Sequence, residues 1–280
     1  MELWFTERQK SGVGITCKVL RILHREITPY QEIVVLDTEQ FGRMLVLDGM
    51  IQTTIFDEFV YHEMLAHVPL YTHPAPRDVL IIGGGDGGTA REVLRHPEVE
   101  KITLVEIDRR VVEISSHFLP ELACAFDHPK VEVCFEDGVE YVRKKEASYD
   151  VILVDSPEPV GQAARLFSSE FYQGIFQALR PDGLFVAQTE SPFYNNDLIA
   201  KVYQEVHRIF PIAKLYLAVI PTYPSGLWSF TLGSKRFDPE AISEHCSLSR
   251  AFRYYSPEIH QAAFKLPAFV RAILPQGVKS

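Results

Sequence analysis

Four carboxylates in this chain stand at the ends of short apolar or glycine-rich runs, where a side chain can act on a bound molecule: Asp86, Glu106, Asp137 and Asp155. Asp86 lies inside Gly83–Gly88, G-G-G-D-G-G, between the apolar run Val79–Ile82 and the helix-compatible Thr89–Val93. The spacing Gly83-x-Gly85-x-x-Gly88 satisfies the dinucleotide fingerprint formally. A pyrophosphate over that loop would meet the helix N-terminus. It would also meet Asp86, and like charges a few ångströms apart cost several kcal/mol at an effective dielectric near 20. The loop therefore points to a cationic ligand, and a sulfonium nucleoside is the familiar one for this kind of sheet. Glu106 follows Asp86 by 20 residues. A carboxylate there can accept hydrogen bonds from both ribose hydroxyls, although a solvated acidic residue at a strand end has the same appearance. Asp137-Gly138 suits an adenine amino group or a plain turn. Asp155 opens Asp155-Ser156-Pro157-Glu158-Pro159-Val160-Gly161. Its two prolines favour an extended loop that brings Asp155 and Glu158 to the mouth of a crevice. Carboxylates there, with Asp86, suit ammonium groups; an acidic loop capping the next helix is the plainer alternative.

The elements around these residues read as an α/β protein. Residues 1–56 are expected to form a small antiparallel β domain, with strands at Thr16–Leu20, at Gln31–Leu36 and on both sides of the Asp48-Gly49 turn. Residues 57–280 are expected to form a Rossmann-like, methyltransferase-type doubly wound domain. It begins with a helix over Asp57–Tyr71 whose apolar face is Phe59, Met64, Leu65, Val68 and Leu70. Strands are expected at 79–82, 102–105, 131–135, 151–154, 184–188, 215–220 and 229–232. Helices alternate with most of them, which implies a parallel sheet covered on both faces. In such sheets ligands bind beyond the C-terminal strand ends, so the four carboxylates should converge on one crevice. Tyr61, Tyr223 and Trp228 are candidates to line a slot for methylenes and cations, with core packing the ordinary fate of any one of them. His62 and His67 are five residues apart, about 140° around a helix, and so do not make the i,i+4 zinc pair.

Bulk properties narrow the class. The 280 residues carry a net charge of −9, with 46% hydrophobic and 23% charged residues. That composition suits a folded soluble protein and argues against a non-specific nucleic-acid binder, which needs a basic face. The four cysteines, at 17, 124, 134 and 246, have no C-x-x-C spacing, so structural zinc and redox pairs are not expected. The N-terminal residues lack a secretory pattern, and no apolar run reaches the roughly 18 residues of a membrane helix. A cytoplasmic location is expected.

Together these residues resemble the spermidine synthases, the polyamine aminopropyltransferases. The resemblance rests on Tyr30-Gln31, Leu45–Gly49, Asp57–Glu63 (D-E-F-V-Y-H-E), Gly83–Gly88, Val105–Asp108, Asp155–Gly161 and Ile220–Gly226 (I-P-T-Y-P-S-G). It implies transfer of an aminopropyl group from decarboxylated S-adenosylmethionine, a co-substrate, to putrescine, giving spermidine and 5′-methylthioadenosine. No metal or separate cofactor is implied, and a homodimer or homotetramer is. Carried over by position, Gln31, Glu106, Asp137 and Gly138 would hold the nucleoside, with Gln162 beside the adenine. Asp86 would bind the aminopropyl ammonium. Tyr61, His62, Glu158 and Tyr223 would position the diamine with Ser156 and Pro157, and Gln188 would assist. Asp155 would accept the proton. Two positions depart from the family loop D-S-x-D-P-x-G-P: Glu158 stands for Asp, and Gln162 for Pro. Both bear on the choice of acceptor, which extends to cadaverine, agmatine or spermidine.

Two rivals share these features. An S-adenosylmethionine-dependent methyltransferase would use the same sheet, but its cofactor carries a carboxylate that Asp86 would repel. A non-catalytic polyamine- or nucleoside-binding protein would need the Asp155 loop only for charge.

Overall fold

The computed structural model describes residues 2–10, 12–157, 161–242 and 252–275. Glu158 and Cys246 lie outside them, and the side chain of Gln162 is likewise not described.

The chain opens with an antiparallel sheet of five strands in sequence order: β1 (Leu3–Lys10), β2 (Val13–Ile27), β3 (Glu32–Thr38), β4 (Gly42–Leu47) and β5 (Met50–Thr54). Sequence patterning misses β1 and recognises five residues of β2. The reason is physical: register shifts at Val19/Arg21 and Ile22/His24 break the two-residue alternation that marks a strand. The β4–β5 pair around Asp48-Gly49 is as expected, and both turn residues have positive φ, 49° and 81°.

The second sheet has seven strands in the order β11-β12-β10-β9-β6-β7-β8. They are β6 (Asp78–Gly83), β7 (Lys101–Glu106), β8 (Val131–Phe135), β9 (Tyr149–Asp155), β10 (Leu179–Gln188), β11 (Ile212–Val219) and β12 (Leu227–Ser234). Six of them run in one direction, and β12 alone runs against them, antiparallel to both β10 and β11. The fully parallel expectation is corrected here: only the seven residues from Ile220 to Gly226 separate β11 from β12, too few for a crossover. The chain enters at β6, adds β7 and β8 on one side, then returns to add β9 on the other. The strand order thus reverses between β6 and β9, the switch point where open sheets bind ligands.

The helices are α1 (Glu58–Thr72), α2 (Gly88–Val93), α3 (Arg109–Phe118), α4 (Pro120–Ala123), α5 (Gly138–Arg143), α6 (Ser169–Ala178), α7 (Asn196–Ile209), α8 (Pro257–Ala263) and α9 (Ala268–Arg271), with a 3-10 turn at Gly161–Phe167. Side chains alternate across the sheet. Val79, Ile81, Leu104, Val151 and Leu153 share a core with Met64, Leu65 and Val68 of α1. Leu80, Ile82, Val105, Ile152 and Val154 face Phe171, Ile175, Val202 and Val206 of α6 and α7.

Helix α1 departs from the one-faced helix expected of it, because it is buried all round, with 14 of its 15 residues buried. The C-terminal segment covers the side that the sheet does not, through Phe252, Tyr255 and Phe264. Glu63 holds that segment: its carboxylate accepts the backbone N–H groups of Arg253, Tyr254 and Tyr255 at 2.8–2.9 Å. The first sheet docks on α3, where Ile33, Val35, Leu45 and Leu47 pack against Val111, Ile114 and Leu119. This contact sets the first sheet over the C-terminal end of β7.

Candidate active site

The parallel register brings the strand ends level. Gly83 pairs with Asp155 across β6 and β9, and Glu106 pairs with Phe135 across β7 and β8. One pocket opens there, lined by Asp86, Glu106, Asp137 and Asp155 together. Tyr61, Gly138, Ser156, Pro157, Gln188 and Tyr223 line it too. From the first sheet come Gln31, Leu47 and the stretch Met50–Gln52. Patterning found no role for that last stretch, because β5 reads only as one arm of a hairpin.

Backbone at the glycine loop lies closer to neighbouring side chains than any Cβ would allow. A Cβ on Gly88 would fall 2.2 Å from the His62 ring, and one on Gly85 would fall 2.9 Å from the Glu106 carboxylate. Glu106 lines the pocket and His62 stands behind Asp86, so glycine at these two positions is required for both side chains to take their places.

Asp86 is fixed on both oxygens. Oδ1 accepts the Gly88 N–H at 2.7 Å, and Oδ2 lies 3.4 Å from His62 Nε2. His62 Nδ1 in turn meets Glu58 Oε2 at 2.6 Å, and Arg91 donates to Glu58 from behind. Burial opposes protonation of His62. The Asp86 and Glu58 carboxylates on its two sides outweigh that and push its pKa up to about 10. His62 is therefore an imidazolium. Burial works against the ionised form of Asp86 as well, but this imidazolium and the Gly88 amide hold its carboxyl below the usual range. His62 does not line the pocket; it reaches the ligand site only through Asp86.

Asp155 has the opposite surroundings. Burial and then the Asp86 carboxylate raise its pKa above the ordinary value. Two hydroxyls offset part of the rise: Tyr61 Oη donates to Oδ1 at 2.8 Å, and Thr89 Oγ1 donates to Oδ2 at 2.6 Å. Tyr61 stays a neutral donor because burial and the Asp155 charge lift its own pKa well above the usual value.

Glu106 accepts the Asp108 N–H at 2.9 Å. Burial, with Asp108 and Asp155 nearby, pushes its pKa up to about 7. Asp108 receives Thr28 Oγ1 at 2.7 Å and Gln31 Nε2 at 3.2 Å, which ties the first sheet to this edge and sets Gln31 on the pocket wall. Asp137 caps α5 by accepting the Val139 N–H at 2.8 Å, while Arg165 donates to its other oxygen at 2.6 Å. That ion pair was not visible from the Asp-Gly dipeptide.

One side of the pocket is aromatic. Tyr61 and Tyr223 meet edge to face at 5.8 Å, and Tyr223 packs on Trp228 at 4.6 Å. Tyr223 Oη donates to the Gln52 carbonyl at 2.6 Å. The loop that carries Tyr223 is anchored by Asp57, which accepts both the N–H and the hydroxyl of Thr222 and the hydroxyl of Thr54. Asp57 thus joins α1, β5 and the turn after β11 instead of capping its own helix. Gln188 donates to the Ser156 carbonyl at 3.1 Å, steadying the strand end after Asp155.

Thr89 is the residue at this site that sequence reading missed. Its signal was only its place just after the glycine loop, where threonine also reads as an ordinary first-turn helix residue. Among the described residues, no group of three or more His, Cys, Asp or Glu is arranged to hold a metal ion. His67, the second histidine of α1, faces Glu92 and His96, away from His62. No helix among the described residues is long and apolar enough to cross a membrane.

Comparison with known proteins agrees with this geometry along almost the whole chain. Residues 58–243 match the spermine/spermidine synthase domain, and residues 3–54 match the spermidine synthase tetramerisation domain. The polyamine aminopropyltransferase of Moorella thermoacetica is 56% identical over 272 residues, 97% of this chain and 96% of that protein. That of Caldicellulosiruptor saccharolyticus is 55% identical over 98% of this chain and 99% of its own length. The crystal structure of spermidine synthase from Thermotoga maritima superposes with a TM-score of 0.93 at 43% identity, covering 97% of this chain and 94% of that one. A spermidine synthase solved with the transition-state analogue AdoDATO superposes at 0.94, also at 43% identity, with the same coverage. The chain belongs to the spermine/spermidine synthase family and is an aminopropyltransferase of polyamine biosynthesis.

Proposed function

We propose that this enzyme transfers the aminopropyl group of decarboxylated S-adenosylmethionine to putrescine, with Asp155 as the proton acceptor. The supporting observation is a pair of carboxylates on one pocket whose surroundings drive them apart. Asp86 is held ionised by the His62 imidazolium, whereas Asp155 is raised by burial and by Asp86. Such divergence is how two like groups take different roles. Asp86 is the permanent anion for the aminopropyl ammonium, and Asp155 is the group able to take up and return a proton.

Glu106 accepts the ribose hydroxyls, and Gln31, Asp137, Gly138 and Gln162 bind the rest of the nucleoside. Tyr61, Tyr223, Ser156, Pro157, Gln188 and Glu158 receive the diamine. His62 acts through Asp86. The acceptor amine, with a free pKa of about 10.4, attacks in its neutral form. Its lone pair forms the N–C bond as the C–S bond breaks, and that electron pair leaves with sulfur. Sulfonium becomes the neutral thioether of methylthioadenosine. The new ammonium gives its proton to Asp155 and thence to solvent. Because sulfonium is already a good leaving group, the main demands on the protein are orientation and stabilisation of the positive nitrogen.

Asp155→Asn tests this assignment. Methylthioadenosine affinity is expected to stay near wild type while turnover falls about a hundredfold or more. Turnover within a few-fold of wild type would refute Asp155 as acceptor.

A further inference from the structure

We propose that Thr89 is a positioning residue for Asp155: its hydroxyl fixes the carboxylate rotamer and keeps the carboxylate ionised for proton transfer. This inference rests on the proton-acceptor role proposed for Asp155.

Thr89 is fully buried in the first turn of α2, and its Oγ1 stands 2.6 Å from Asp155 Oδ2. The N-cap of α2 is Gly87, which has no side chain to accept a free N–H of the helix. Asp86 supplies that acceptor instead, taking the Gly88 N–H at 2.7 Å. The Thr89 hydroxyl is directed to a residue 66 positions away. The backbone of Asp155 is held independently, because its carbonyl accepts the Gly84 N–H at 2.9 Å. With Tyr61 on Oδ1, main chain and both carboxylate oxygens are fixed. Two hydroxyls occupy two of the roughly four lone-pair directions of a carboxylate, which leaves the others for an incoming amine.

The charged and titratable groups facing Asp155 come from three elements: Tyr61 and His62 on α1, Asp86 in the loop after β6, and Glu106 at the end of β7. Burial and Asp86 push the Asp155 proton on, and His62, Thr89 and Tyr61 push it off. Among the last three, Thr89 makes the shortest hydrogen bond to the carboxylate and carries no charge. Removing its hydroxyl therefore perturbs Asp155 without changing the net charge of the site.

Thr89→Val, close to isosteric, and Thr89→Ser separate this role from a packing role. Thr89→Val is expected to lower kcat about ten- to a hundredfold, as loss of a hydrogen bond to a charged group does. The acid limb of the kcat/KM profile should move to higher pH, with KM for the sulfonium donor unchanged. Thr89→Ser should restore both. Should the valine variant fail to fold, Thr89→Ala gives the same reading against Thr89→Ser. Unchanged kcat and pH limb in the hydroxyl-free variant, or a serine variant as impaired as the valine one, overturns the proposal. Loss of turnover in Asp155→Asn beside a wild-type-like Thr89→Val would fault only Thr89. An active Asp155→Asn would fault the acceptor role itself.

Discussion

Asp86 is the residue that separates this pocket from a phosphate cradle. Its charge was legible from the glycine loop, but the means of keeping it was not. The Arg91–Glu58–His62–Asp86 chain joins two segments, and only Glu58 and His62 have a sequence spacing that suggests contact, i and i+4 on α1. Glu106 shows how such buried charge becomes measurable. With its pKa near 7 in the unliganded protein, it holds a proton that the unfolded chain has lost. It therefore lowers stability as pH rises from the ordinary carboxylate range through about 7. In the proposed role ribose hydroxyls donate to the ionised form, so binding should release that proton. Methylthioadenosine affinity, measured by calorimetry, is expected to weaken below pH 7, approaching about tenfold per pH unit. Glu106→Gln should abolish that dependence and weaken binding at neutral pH. A flat profile in the wild-type protein would exclude Glu106 as the ribose partner.

Elements were legible where each obeys one period. Strand β8 falls on the expected residues, and β6, β7 and β9 differ only at their ends. Helix α1 shows why others were not. Its Glu58, His62, Glu63 and His67 are ionisable residues that would ordinarily face water, yet all four are buried. Apart from the Glu58–His62 pair, their partners lie farther along the chain, at Asp86, Arg91, Glu92 and Arg253–Tyr255, which no local pattern encodes. Glu63 is the clearest case, since it is 1% exposed and takes three amides from residues about 190 positions later. Glu63→Ala would leave those donors buried and unmatched, and is expected to cost roughly 3–5 kcal/mol in urea denaturation. Faster amide exchange at Arg253, Tyr254 and Tyr255 should accompany it. A loss below about 1 kcal/mol would mean that apolar packing alone holds the segment.

On the scale of the molecule, two sheets meet at the reversal of strand order, and each supplies one wall of the pocket. The second sheet brings the carboxylates. The first, the family's tetramerisation domain, brings Gln31 and Gln52 and exposes Leu3, Trp4, Leu20, Ile22 and Ile27. The crevice could be placed from strand order alone. The roof could not, because it depends on Thr28 and Gln31 reaching Asp108 across the boundary between the sheets. The proposed aminopropyl transfer draws on both walls, and its products test it most directly. Purified protein supplied with decarboxylated S-adenosylmethionine and putrescine should release spermidine and 5′-methylthioadenosine in equal amounts by mass spectrometry, and should form neither from intact S-adenosylmethionine. No methylthioadenosine from the decarboxylated donor, or S-adenosylhomocysteine from the intact one, would contradict it.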